Sequence, residues 1–268
     1  MSVPCAARQW VSVGTVLALL WACGAAPGAQ RSTFGVVGSD EYTPDGSENQ
    51  PYDGGFQFVR LSYRYGLSSF GGRRERLAPW AHDHPRADRH YMKILSELTH
   101  LRPRTTGSNT FALDDPELLR FPFAYMSEPG FWQPSESEVA GVRSYLLKGG
   151  FIIFDDFRGP DWEHLQRQMR RALPDLWFVE LDGTHPLFHA FFEIPDLEVL
   201  QTPYGGMTPS YHGLFEENDP EGRLLAIADV NNDLGEYWEY SGAGFVPVDL
   251  SNEAYKFGVN YAMYAITH

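Results

Sequence analysis

The pattern of apolar and polar positions changes character twice along the chain. Val11 to Cys23 is almost wholly apolar (VSVGTVLALLWAC). From Phe56 to Leu181, short apolar runs take turns with segments of helical spacing. After His185 the runs shorten, and glycine and proline separate them.

The middle region carries most of the fold signal. Phe56–Tyr65 (FQFVRLSYRY) reads as a first strand, although Arg60 and Arg64 interrupt its alternation. Ala87–Leu98 sets Tyr91, Ile94, Leu95 and Leu98 on one helical stripe. Strands are predicted around Leu101–Thr105 and over Phe121–Met126. Ser135 followed by Glu138 is a capping-box pattern, opening a helix that runs to Lys148 and stops at Gly149-Gly150. Phe151–Phe154 (FIIF) is apolar at every position, as a strand covered on both faces should be, and it ends in Asp155-Asp156. Trp162–Leu173 is an amphipathic helix stopped by Pro174, and Leu176–Leu181 is the next strand.

This alternation predicts an α/β fold: a doubly wound, mostly parallel, flavodoxin-like sheet. Strand-like pieces at Phe188–Ile194, Leu197–Gln201, Tyr211–Phe215 and Arg223–Asp229 form a C-terminal extension. A final helix over Ser251–Thr267 gathers Ala254, Phe257, Tyr261 and Tyr264 on one side. The expected organisation is a signal peptide over 1–29, an arm or tether over 30–55 and one α/β domain over 56–268.

The N-terminal run is too short for a membrane helix. It has about 13 residues where about 20 are needed. Arg8 precedes it and small residues (GAAPGA) follow, which is the layout of an export signal cleaved near Ala29–Gln30. The protein is therefore expected in the periplasm or outside the cell. Leu20-Trp21-Ala22-Cys23 offers lipidation at Cys23 as a second option. No later segment is long and apolar enough to span a membrane.

Composition narrows the functional classes. Of 268 residues, 43% are hydrophobic, enough for a sizeable core. The net charge of −14 argues against nucleic acid as a partner. That charge is uneven: residues 60–104 carry nine arginines and one lysine against four acids, whereas 105–268 hold 9 basic and 26 acidic residues. The only cysteines are Cys5 and Cys23, so a disulfide scaffold, a cysteine-bound metal and a thiol nucleophile are excluded from the body of the protein.

Three sets of residues carry candidate chemistry. Asp155 and Asp156 end a buried strand, and ligands of open α/β sheets bind outside the carboxyl ends of the strands. They can hold a divalent cation or position a water; alternatively one caps the next helix while the other binds loop amides. Histidines form the second set. His82-Asp83-His84 is dense but has loop spacing, and a metal site of Asp156 with His84 and His185 is a candidate. The third set is Arg73, Arg74 and Arg76 in the glycine-rich loop after the first strand, where they can clamp an anionic ligand or dock an acidic partner. Trp132 and Tyr237–Tyr240 read either as contact aromatics or as core.

Several ordered motifs add to this reading: WAHDHPRAD, LLKGGFIIFDDF, HPLFHAFF, NNDLGEYWEY and FGVNYAMYAITH. Together, over roughly residues 55–268, they resemble the bacterial family known as domain of unknown function 4159. The resemblance implies a flavodoxin-like or glutamine-amidotransferase-like core and carries no catalytic residues over. Amidotransferases of that architecture use a cysteine at a strand-to-helix elbow, and the exported chain would have none, so that chemistry is not expected. The favoured expectation is an exported, non-catalytic domain of the cell envelope, without a cofactor, that binds an anionic small ligand or another envelope protein. The alternative is a metal-assisted hydrolase built on the strand-end carboxylates and histidines, with a divalent ion.

Overall fold

The computed structural model describes residues 36–37, 49–66, 78–200 and 206–268. Among them, seven strands form one sheet. They are β1 (Val59–Ser62), β2 (Asn109–Ala112), β3 (Phe123–Ser127), β4 (Phe151–Phe157), β5 (Phe178–Glu180), β6 (Ser210–Phe215) and β7 (Leu224–Val230). The order across the sheet is β2-β1-β3-β4-β7-β6-β5. The first five strands run parallel, and β6 and β5 continue the sheet antiparallel. Val36–Val37 and Tyr65–Gly66 form a separate two-residue antiparallel pair.

Helices cover both faces. They are α1 (Arg86–Leu98), α2 (Glu136–Leu147), α3 (Pro160–Ala172), α4 (Leu234–Glu239) and α5 (Val248–Thr267). All seven residues of β4 are buried, which explains its continuous apolar start. Phe151 and Ile153 point into the layer of α1, α4 and α5, where Tyr91 stacks on Trp238 with ring centroids 4.4 Å apart. Ile152 and Phe154 point into the layer of α2 and α3. The predicted capping box is present: Ser135 Oγ accepts from the Glu138 amide at 3.1 Å, and Glu138 Oε2 accepts from the Ser135 amide at 2.8 Å.

Several predicted elements are displaced. No strand forms at Leu101–Thr105. Pro103 has no amide to donate there, and β2 starts only at Asn109, after Gly107. At that sheet edge the end of the 30–55 segment is tied down, because the Asn49 side chain exchanges two hydrogen bonds with the Thr110 backbone, at 2.7 and 2.8 Å. Phe188–Ile194 is not a strand either. Pro186–His189 is a short 3₁₀ turn, and the buried Asn260 side chain bonds the Phe191 and Phe192 amides and the Phe192 carbonyl in place of a neighbouring strand. Leu197–Leu200 is likewise irregular. The last helix begins at Val248 after Pro247, so Ser251 lies inside its first turn rather than capping it. Trp132, Tyr237 and Trp238 are buried at 1% exposure or less, which makes them core and not a contact surface. No helix among the described residues is long and apolar enough to cross a membrane.

Candidate functional site

The carboxyl ends of the parallel strands converge on one edge of the sheet. β1 leads, beyond residues outside the described set, to the segment 78–85. β3 leads directly to Glu128, β4 carries Asp155 and Asp156 just before its last residue, and β7 leads to Asn231, Asn232 and Asp233. The chain passes from β1 out to β2 on one side and returns to β3 on the other, so this edge also holds the topological switch of the sheet.

A buried ion-pair network fixes the edge. Arg60 on β1 donates to Asp88 on α1 through Nη2 at 2.6 Å and Nε at 3.3 Å. Its Nη1 donates to the Trp80 and His82 carbonyls at 3.1 and 2.9 Å, and its guanidinium lies 4.9 Å from the Tyr125 ring centre. Asp88 also takes hydrogen bonds from Ser108 Oγ and the His84 ring. Burial alone would raise the Asp88 carboxyl, but Arg60 and His84 overcome it and hold the group well below the usual carboxylate range. Arg60 thus anchors the loop that presents His82 and Asp83. On the other side of β1, the Tyr63 hydroxyl donates to the Ser127 and Glu128 carbonyls and pins the turn that presents Glu128.

On this frame sits a cluster of acids. Ligand atoms of Asp83, Asp156 and Asp233 all lie within 4.8 Å of one another, and the same holds for His82, Glu128 and Asp156 and for His82, Asp83 and Glu236. Asp83, Asp155, Asp156 and Asp233 are each 5% exposed or less. Three ionised carboxylates at that spacing repel by at least about 3 kcal/mol per pair at an effective dielectric of about 20. Few hydrogen bonds offset this. Neither oxygen of Asp83 accepts a hydrogen bond, and nor do Asp155 Oδ1 and Asp233 Oδ2; Asp83 has the His82 ring as a charge partner, with Nδ1 3.7 Å from Oδ1. Asp155 Oδ2 accepts from the Tyr125 hydroxyl at 2.7 Å and the Gly235 amide at 3.0 Å. Asp156 Oδ2 lies 2.7 Å from His82 Nδ1.

The proton affinities follow from this crowding. Burial raises Asp83 well above its ordinary range; His82 opposes the shift and the Asp156 charge adds to it. Burial and the charges of Asp156 and Asp83 raise Asp233 in the same way. Burial and then the Asp156 charge lift Glu128 to about 8. Burial lifts Asp155 to about 6 against the Tyr125 hydrogen bond. His82 moves to about 10, chiefly through its hydrogen bond to Asp156. One strand over, Asp229 accepts from the Tyr261 hydroxyl at 2.8 Å and is also raised by burial.

The backbone is unusual here as well. Asp83, Glu128, Asp156 and Asn231 all have φ between 47° and 63°. Left-handed non-glycine residues cost of order 1 kcal/mol each and gather at functional sites. Gly235 is required by close approach: a Cβ at that position would run into Asp83 Oδ2 and the Tyr125 hydroxyl.

Of the residues expected from the sequence, Asp155 and Asp156 are in this cluster. His84 is beside it but turned into the Arg60–Asp88 network, with its side chain 2% exposed; His82 takes the position at the acids. His185 lies elsewhere. It packs against Phe215, which pairs with Leu224 at the start of β7, so it sits toward the opposite edge of the sheet. The amide of Leu187 donates to its ring, the helix-capping job of a structural histidine. Arg73, Arg74 and Arg76 fall outside the described residues. Asp83, Glu128 and Asp233 were not expected. Glu128 directly follows β3, and Asp233 lies just beyond the end of β7. The strand-end rule that singles out Asp155 and Asp156 singles them out too once every buried strand is followed to its carboxyl end.

The family model described as Domain of unknown function (DUF4159) matches residues 57–266, which span the whole sheet and the acidic cluster. No curated protein matches the chain.

Proposed function

This chain belongs to the DUF4159 family, and we propose that it is a metal-assisted hydrolase that works at the carboxyl edge of a flavodoxin-like sheet. One observation carries the reading: Asp83 is buried with neither carboxylate oxygen accepting a hydrogen bond, facing Asp156 and Asp233, with the His82 ring 3.7 Å from one oxygen. A divalent cation removes the repulsion and satisfies those oxygens together. The donors are carboxylates with one imidazole, a set suited to magnesium, manganese or calcium. The rim is open, since the His82 side chain is 42% exposed and Glu128 is only partly buried. A bound ion would keep positions for water and substrate, and it would act as a Lewis acid that lowers the pKa of a bound water and polarises the substrate. Hydrolysis then places the hydroxyl on the electrophile and the proton on the leaving group. The sheet reading rests on the parallel order β2-β1-β3-β4-β7. Export to the cell envelope rests on the N-terminal apolar run and its small-residue exit.

A second reading, a non-catalytic domain that binds a cation together with an anionic ligand or envelope partner, draws on the near-complete burial of the four aspartates. Calorimetry with manganese tests the shared premise, using wild type and Asp83→Asn. Wild type should bind; the variant should bind at least about 100-fold more weakly. In chelator, the variant should be at least as stable as wild type, because the amide has no charge to bury beside Asp156. Equal manganese affinity in the two proteins sinks the cation site. Manganese binding with no turnover of chromogenic phosphate and carboxylate esters selects the second reading.

A further inference from the structure

The ligand sets overlap in a way that a single ion leaves unused. Asp156 belongs to an outer set with His82 and Glu128 and to an inner set with Asp83 and Asp233. The outer set reaches solvent through His82 and Glu128; the inner set is wholly buried and made only of carboxylates. In the inner set, Asp83 offers two oxygens and Asp233 one that no donor satisfies. The four carboxylates of the two sets carry four negative charges when ionised, so one divalent ion leaves a double negative charge at a buried edge and two ions balance it. His82 Nδ1 lies 2.7 Å from Asp156 Oδ2, close enough for both atoms to ligate one ion in place of the proton they share.

We propose that the edge holds two divalent cations bridged by Asp156: an inner ion on Asp83, Asp156 and Asp233, and an outer ion on His82, Glu128 and Asp156. This rests on the cation reading above. The inner position, all oxygen, takes hard ions such as magnesium, manganese or calcium. The outer position, with its imidazole, also accepts zinc or cobalt and faces substrate. Paired ions of this kind, about 3.5–4 Å apart, clamp both the attacking and the leaving oxygen of a displacement, which points to phosphate esters as the substrate class.

The test uses the full chain, stripped with chelator and titrated with manganese chloride. Native mass spectrometry counts the ions, and electron paramagnetic resonance reports their coupling. Wild type should take up two manganese ions with a broadened, exchange-coupled spectrum. Glu128→Gln lies at the solvent-facing end of the site, and it should hold one ion with the six-line spectrum of isolated manganese. One ion in wild type overturns the two-ion centre and leaves the single-cation reading standing. Two uncoupled ions, or two coupled ions retained in Glu128→Gln, also overturn it. No bound manganese overturns the cation reading and this proposal together.

Discussion

Asp88 and Asp83 lie in the same stretch of chain, at the same sheet edge, and both are buried. Their surroundings are opposite. Asp88 accepts two hydrogen bonds from Arg60 and one each from His84 and Ser108, so its charge is fully compensated. Asp83 accepts none: the His82 ring stands 3.7 Å from one of its oxygens, and the carboxyls of Asp156 and Asp233 crowd it. A folded chain keeps buried polar groups satisfied almost everywhere, and an exception needs a reason. The first cluster is complete by itself and holds the loop in place. The second has His82 as a counter-charge but more carboxylates than one imidazolium can balance, and Asp83 there accepts no hydrogen bond.

The largest expected effect breaks the complete cluster. Asp88→Ala leaves the Arg60 guanidinium buried without its counter-charge, and it should cost about 3–5 kcal/mol of stability. Urea denaturation of the metal-free protein measures it. The sign is opposite to that expected for Asp83→Asn, so the pair of variants tests the contrast directly. A loss under about 1 kcal/mol for Asp88→Ala would mean that the two clusters do not differ in kind.

Much of this contrast could be read in the sequence, and part could not. The apolar run Phe151–Phe154 ending in two aspartates marked β4 and its carboxyl end, because burial on both faces leaves a compositional trace. Ser135 and Glu138 marked the start of α2, because a capping box is local. Partner choice is not local. His82 and His84 are equally placed in the sequence, but Asp156, which draws His82 to the acids, comes from a strand 74 residues away, and Asp88, four residues from His84, is held by the distant Arg60. Likewise β2 and the 186–200 segment were misread because long-range contacts, Asn49 on the β2 edge and Asn260 on the Phe191–Phe192 backbone, replace local periodicity.

A smaller effect separates the clusters by pH. Folding raises Asp155 to about 6 and Glu128 to about 8, so between roughly pH 4 and 8 the folded chain holds protons that the unfolded chain has released. The stability of the metal-free protein should therefore be greatest near the unfolded carboxyl values and fall as pH rises through those folded values. His82, raised to about 10, acts in the same direction at higher pH: its contribution is complete below about 6.5 and is lost toward 10. Asp88 acts in the opposite direction. Its depressed value adds stability above about 4 that disappears on acidification. Melting of chelated protein should occur about 2–8 °C lower at pH 8 than at pH 5, a difference of roughly 1–2 kcal/mol. Saturating manganese should remove that difference, since ions displace the same protons. A melting temperature independent of pH across this range, with and without manganese, would contradict the uncompensated cluster.

The smallest effect concerns the histidine that does not join either cluster. His185 contacts the rings of Phe188, Phe215 and Tyr264, and it accepts one backbone hydrogen bond at 3.2 Å from Leu187. Burial lowers its proton affinity, as expected for a neutral ring that caps a turn. His185→Gln should cost about 1 kcal/mol through the lost cap and ring packing. Because β6 and β7 carry its neighbours toward the end of the sheet away from Asp156, manganese affinity should stay within about twofold of wild type. A tenfold loss of manganese affinity in His185→Gln would couple the two ends of the sheet. It would also remove the distinction between a site made by strand ends and a fold made by everything else.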